Sequence, residues 1–180
     1  VTKFLILILI LSTGCKVNET IEYSNKLYGV EYKNTYLKRN DYEGVIFSKD
    51  YPGMIKYSDR QYKPSIGEIE LAESILESKI KVANKRLINQ GGDCPIIHRK
   101  LKKYKRQYIG FINKEGEKII YINCFWFDTG LIDKFLKNKP NGEKWKRELV
   151  SVLDGCSHFW SIKVNLKDRE LFDFHINGVG

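Results

Sequence analysis

Proline is scarce in this chain, four residues in 180, glycine stops at fourteen and cysteine at four. So little proline and glycine excludes collagen-like and low-complexity architectures, and so few cysteines excludes a dense disulfide scaffold. No apolar run reaches the ~20 residues that a helix needs to cross a bilayer. There is no P-loop, GxGxxG, GxSxG, HExxH, EF-hand loop or CxxC, so the familiar local signatures of nucleotide, hydrolase, metal and dithiol chemistry are missing. Acid is also in short supply: 22 Asp and Glu face 31 Lys and Arg, for a net charge of +9. What is present is 42% apolar residues with 13% aromatics, enough for a packed core and too much for wholesale disorder. The length suits a single domain.

The chain opens on Lys3, then an unbroken apolar run from Phe4 to Leu11, then Ser12-Thr13-Gly14-Cys15. A cation, a short greasy segment and small residues form the layout of a secretory signal peptide. Ser12-Thr13-Gly14-Cys15 resembles a loose lipobox of the bacterial lipoproteins, with Ser12 where a branched apolar residue is usual. The resemblance implies cleavage after Gly14 and acylation of Cys15, and it carries no information about activity. The chain is also similar to the many small uncharacterised lipoproteins of Gram-negative bacteria. On this reading residues 1–14 are a signal peptide, 15–27 a lipidated tether lifting the domain off the membrane, and 28–180 one α+β domain. Its expected location is the cell envelope, lipid-anchored and facing the periplasm or the exterior.

Residues 16–64 hold eight of the eleven tyrosines, and short strands are expected at Tyr28–Tyr32 and Glu43–Ser48, with a turn at Asp50-Tyr51-Pro52-Gly53. Ser65 followed by Glu68 is a capping-box arrangement. Ile69, Ala72, Leu76, Ala83 and Leu87 then recur at helical steps, so the pattern predicts a helix over 66–89, acidic in its first half and basic in its second. Beyond it the period falls to two. Strands over 104–113 and 117–127 flank Lys114-Glu115-Gly116, which places Phe111 opposite Ile119, Ile109 opposite Tyr121 and Tyr108 opposite Ile122. Thr129–Leu136 is expected as a short helix, and Asp154-Gly155 as a tight turn between Glu148–Leu153 and a strand starting near Ser157.

For the last hairpin, a three-residue loop at 167–169 aligns Val164 with Phe172, Ile162 with Phe174 and Trp160 with Ile176, and brings Lys163 to Asp173. A two-residue loop would instead set Lys163 against Phe172. These elements predict an α+β fold: one long amphipathic helix packed on an antiparallel sheet of four to six strands, an arrangement similar to the cystatin-like or NTF2-like plan.

Between 79 and 106 lie ten Lys and Arg against one acid, Asp93. Clustered cations raise the local potential and attract anions, so Lys85, Arg86, Arg99, Lys100, Lys102, Lys103, Lys105 and Arg106 form the candidate anion-binding set. A solvated helix end followed by a lysine-protected edge strand explains the same run without any ligand. For an envelope protein the anions met first are anionic lipid and acidic glycan; the compartment argues against nucleic acid, although Tyr104 and Tyr108 among the cations suit base stacking.

With Cys15 acylated, three cysteines remain. They are read either as buried inert thiols or as one disulfide plus a free thiol, with Cys124–Cys156 the first pair to test. Cys156 and His158 share a strand face, but no motif makes them a nucleophile and its base. His175 and Asp173 also share a face, two donors where a metal needs more, and His98 is expected to be exposed. No catalytic residue, metal or cofactor is assigned, and no protein partner is named. The functional expectation is a binding or scaffolding module with a basic surface. Its rivals are a small periplasmic hydrolase or transferase with an NTF2-like pocket, and a protease-inhibitor-like module.

Overall fold

A computed structural model of the chain describes residues 18–52, 60–126 and 143–179. Eight strands make one sheet: β1 (Glu19–Leu27), β2 (Val30–Lys38), β3 (Glu43–Ile46), β4 (Arg60–Tyr62), β5 (Lys105–Ile112), β6 (Lys118–Phe125), β7 (Phe159–Asn165) and β8 (Glu170–Ile176). Their order is β1-β2-β3-β5-β6-β7-β8, with β4 beside the far half of β5. All pairings are antiparallel except β3 with β5, where Glu43–Ile46 runs parallel to Lys105–Tyr108. Between those parallel strands the chain passes through α1 (Ile66–Ala83), and the short α2 (Ile97–Lys100) precedes β5.

The expected plan of a long helix on four to six antiparallel strands is therefore corrected. The described residues are mostly sheet, with eight strands, one substantial helix and a parallel pair at the centre, and this is neither the cystatin-like nor the NTF2-like plan. Most of the surplus comes from the tyrosine-rich segment. In β2, Tyr32, Asn34 and Tyr36 point inward while Glu31 and Lys33 face out, the period of two that makes a strand. β1 pairs with β2 along its whole length, Glu19 against Lys38 to Leu27 against Val30. What was expected as a tether is therefore an edge strand from Glu19 onward.

α1 starts as its sequence dictates. Ser65 Oγ accepts from the Glu68 amide at 3.3 Å, and Glu68 Oε2 accepts from the Ser65 amide at 2.8 Å. It ends earlier than the apolar repeat suggests, because Asn84 caps it and Leu87 and Asn89 take left-handed conformations. The helix lies over β7 and β8 and buries Ile69, Ala72, Ile75, Leu76 and Ile80 against Tyr104, Tyr108, Ile122 and Trp160.

The opposite face of the sheet carries a second core of Tyr32, Tyr36, Val45, Phe47, Tyr51, Ile109, Phe125 and Trp145. It is covered by the segment from 143 to 150, most of it without regular structure. Buried amides tie that segment down: Gln107 donates to the Trp145 and Glu148 carbonyls and accepts from the Val150 amide, and Asn34 donates to the Lys146 carbonyl. The backbone groups of an irregular strand thus find partners without water. No strand forms in the stretch Glu148–Leu153.

The β5–β6 hairpin has the expected register, Phe111 to Ile119, Ile109 to Tyr121 and Tyr108 to Ile122, with Gly116 left-handed at φ 81°. In β7–β8 both candidate registers occur. Trp160 faces Ile176 as the odd-loop alignment requires, but near the turn Lys163 faces Phe172, and a bulge absorbs the difference. Asp173 takes φ 48° within that irregular stretch, and its carboxylate still reaches Lys163 Nζ at 2.7 Å. The expected helix Thr129–Leu136, the acceptor Cys15 and part of the turn at 50–53 lie outside the described residues.

Candidate anion-binding surface

Period two on β5 separates the last members of the basic run. Lys105 faces the second core, 3.4 Å from a Glu43 oxygen and 4.9 Å above the Trp145 ring. Arg106 points the other way and is 1% exposed, its Nε 2.9 Å from Glu73 Oε1 and its other nitrogens donating to the Tyr104 and Leu101 carbonyls. Neither residue is free to take up an exogenous anion, so both leave the candidate set. Arg106 needs Glu73 because a buried guanidinium without a counter-charge is strongly disfavoured. Tyr108 completes the group by donating to Glu73 at 2.9 Å. Burial pushes the Glu73 carboxyl upward, and Arg106 and Tyr108 pull against it.

The remaining candidates stay at the surface. Lys85 and Arg86 are exposed in the turn after α1, Arg99 and Lys100 on α2, and Lys102 and Lys103 in the 3-10 turn that follows. Lys102 pairs with Asp41. Lys85, Arg86, Arg99, Lys100 and Lys103 have no carboxylate partner among the described residues, and neither do Lys79 and Lys81 on the outer face of α1.

A side-chain network holds the two halves of this surface together. Asn84 and Gln90 exchange amide hydrogen bonds at 2.8 and 2.6 Å, Gln90 Oε1 accepts from the Ile97 amide, and Asn84 Nδ2 lies 3.1 Å from His98 Nδ1. His98 is thus half-buried rather than exposed. Burial lowers its pKa, and Arg99 and Lys81 lower it further, which keeps the ring neutral and its Nδ1 able to accept from Asn84.

A groove of about 860 Å³ runs between α1, the loop at 39–42 and the turn at 98–103, with Glu73 and Arg106 among its lining residues. Its carboxylates are largely engaged: Glu70 with Arg39 at 3.2 Å, Asp41 with Lys102, and Glu73 with Arg106. Tyr42 lies beside them, pushed up to about 12 by burial and by Glu73 and Glu70, its ring 5.5 Å from the Arg106 guanidinium. The groove thus presents a ring of internal ion pairs, and the unpaired positive charge lies at its rim.

The cysteines are arranged otherwise than expected. Cys94 and Cys156 form the disulfide, with Cα atoms 6.1 Å apart, and Cys124 is the free, buried thiol. Cys124 belongs to the helix-covered core and burial raises its pKa, so it is a packing residue there. With its sulfur bonded to Cys94, Cys156 is no nucleophile, although His158 Nδ1 stands 3.6 Å away. His175 is exposed on β8 opposite Ser161, and the Asp173 carboxylate is taken by Lys163. Among the described residues no three His, Cys, Asp or Glu side chains gather as a metal site, and no helix is long and apolar enough to cross a membrane.

Comparison with known proteins finds no matching family model, no matching curated protein and no matching solved structure. Sequence reasoning missed the Asn84–Gln90–His98 network, whose members look like ordinary polar loop residues. It also missed Glu73 as the residue that removes Arg106 from the surface.

Proposed function

We propose that the chain is a lipid-anchored module of the bacterial cell envelope whose basic surface holds an anionic partner, a lipid headgroup or an acidic glycan. The observation that carries this reading is the set of exposed cations on the outer face of α1, the turn after it and α2, none of them ion-paired to a carboxylate among the described residues. The Cys94–Cys156 bond supports the compartment, since structural disulfides persist where thiols oxidise. The protease-inhibitor reading rested only on the helix-over-sheet plan and falls with it.

Two experiments test the proposal. In cells, globomycin should cause the precursor to accumulate, and Cys15→Ser should abolish acylation; an unmodified, uncleaved N-terminus would overturn the anchor. In vitro, the full-length Cys15→Ser chain should bind phosphatidylglycerol vesicles more tightly than phosphatidylcholine vesicles. Salt should erode the preference, and the combined change Arg99→Glu, Lys100→Glu, Lys103→Glu should abolish it. A soluble sulfated oligosaccharide that competes for the chain would point to glycan as the natural ligand. Salt-independent binding, equal on both lipids and unaltered in the variant, would overturn the anion reading.

A further inference from the structure

Six of the ten large apolar side chains exposed among the described residues lie at one end of the molecule: Val82, Leu87, Ile88, Val152, Leu153 and Val179. Hydrogen bonds gather the segments that bear them. Asn89 Nδ2 donates to the Asn177 carbonyl at 2.7 Å, Asn177 Nδ2 donates to the Val152 and Asp154 carbonyls, and the Cys156 amide donates to the Gly178 carbonyl. The disulfide adds a covalent link between the loop after α1, at Cys94, and the segment that carries Val152 and Leu153, at Cys156. Leu153 is 92% exposed at the tip of this cluster, a position that nothing in the fold requires to be apolar. Lys85 and Arg86 immediately precede Leu87, and Lys81 and Arg99 flank His98 beside them. The carboxylates of Glu77, one turn before Lys81, and of Asp93 and Asp154 stand in the same region and are outnumbered.

β1 begins with Glu19 opposite Lys38, and β3 places Glu43 against that same Lys38 and against Lys105. Asn18 therefore emerges at this end of the sheet, and it lines the same groove as Lys81 and Arg99. Only two residues, Lys16 and Val17, separate Asn18 from Cys15, three Cα-to-Cα steps with a reach of at most about 11 Å. An acyl chain on Cys15 leaves no slack to lift the domain away.

We infer that this end of the molecule docks flat on an anionic phospholipid bilayer, with Leu87, Ile88, Leu153 and Val179 entering the headgroup boundary and the surrounding cations meeting lipid phosphates. The inference rests on the lipid-anchored, anion-binding reading above and names the bilayer itself as the partner. Apolar tips within a cationic rim suit such a boundary, where apolar burial and attraction to anionic lipid act together.

The test is an environment-sensitive fluorophore on Leu153→Cys in the full-length Cys15→Ser chain. A matching probe on Lys114→Cys, in the β5–β6 turn at the other end of the sheet, is the reference. With phosphatidylglycerol vesicles the probe at 153 should shift to the blue and be quenched by spin-labelled lipid, while the probe at 114 should do neither. Without any probe, Leu153→Ser should weaken binding about tenfold, whereas Tyr28→Ser, at the exposed β1–β2 turn, should leave it unchanged. A silent probe at 153, with the charge-reversal variant still losing its lipid preference, would overturn insertion and leave the anion reading standing. No preference for anionic lipid together with a silent probe would overturn both.

Discussion

The two ends of the sheet treat charge in opposite ways. At the end that holds the β5–β6 and β7–β8 turns, three cations are ion-paired: Lys118 with Glu68, Lys167 with Glu117 and Lys163 with Asp173, each between 2.7 and 2.8 Å, and Lys114 and Arg169 are offset by Glu115, Asp168 and Glu170 in the same turns. Asn113 and Asn165 add hydrogen bonds to the same Glu117. At the other end, where α1 stops and Asn18 emerges, Lys102 pairs with Asp41, but Lys85, Arg86, Arg99, Lys100 and Lys103 lack a carboxylate partner among the described residues, and apolar side chains stand in solvent beside them. The balanced end needs nothing further. The unbalanced end combines unpaired cations with exposed apolar side chains, and that contrast is the basis for placing the proposed contact surface there rather than the count of lysines.

The contrast should break first at the disulfide. Cys94→Ser opens a link spanning 62 residues, and the chain-entropy estimate for a loop of that length is about 4 kcal/mol of stability. Denaturant titration of the variant, and of the native chain with reductant, should show this loss. It should be accompanied by weaker vesicle binding, because the apolar segments are no longer held together.

Acid should separate the two ends next. His98 is held below its ordinary value near 6.5, chiefly by burial. The unfolded chain therefore takes up that proton first, and the basic end loses stability as pH falls from about 6.5 toward the lowered folded value. Glu117 is held below the usual carboxylate range by Lys167, Asn165 and Asn113. Burial pushes Glu68 upward, but Lys118 and Ser65 outweigh it and its pKa is also lowered. Both carboxylates keep their full contribution above the unfolded value near 4.5 and lose it as pH falls below that. Amide protection around 84–98 should therefore fall at a higher pH than protection around 113–118. The reverse order would remove His98 from the account.

The smallest effect belongs to the matched end. Lys118→Ala breaks a pair whose lysine side chain is 53% exposed, so thermal unfolding should report a loss of at most ~1 kcal/mol and vesicle binding should not change.

Local signals in the chain were legible and long-range ones were not. The capping box at Ser65, the β5–β6 register around Gly116 and the pairing of Lys163 with Asp173 are short-range matters of period and turn chemistry, and all are present. β1 escaped because only one of its faces packs, and weakly, so its sequence looks like solvated linker. The helix was read too long because Leu87 keeps the apolar step while Asn84 has already capped the backbone. The β7–β8 register could not be settled by loop arithmetic, since a bulge lets both alignments coexist. Strand proximity makes Cys124–Cys156 the first pair to test and gives no hint of Cys94, whose loop lies 62 residues from its disulfide partner Cys156. Lys105 and Arg106 look alike in sequence. Only Glu73, brought across from α1, takes Arg106 into the core.

Hydrogen–deuterium exchange of the acylated chain that starts at Cys15, on phosphatidylglycerol vesicles, compares the two ends in one experiment. Amides at 85–103 and 152–156 should gain protection relative to the chain in neutral detergent, while those at 113–117 and 166–169 should exchange as before. Protection at the β-turn end, or none at either, would contradict the assignment of the cationic, apolar end to the membrane.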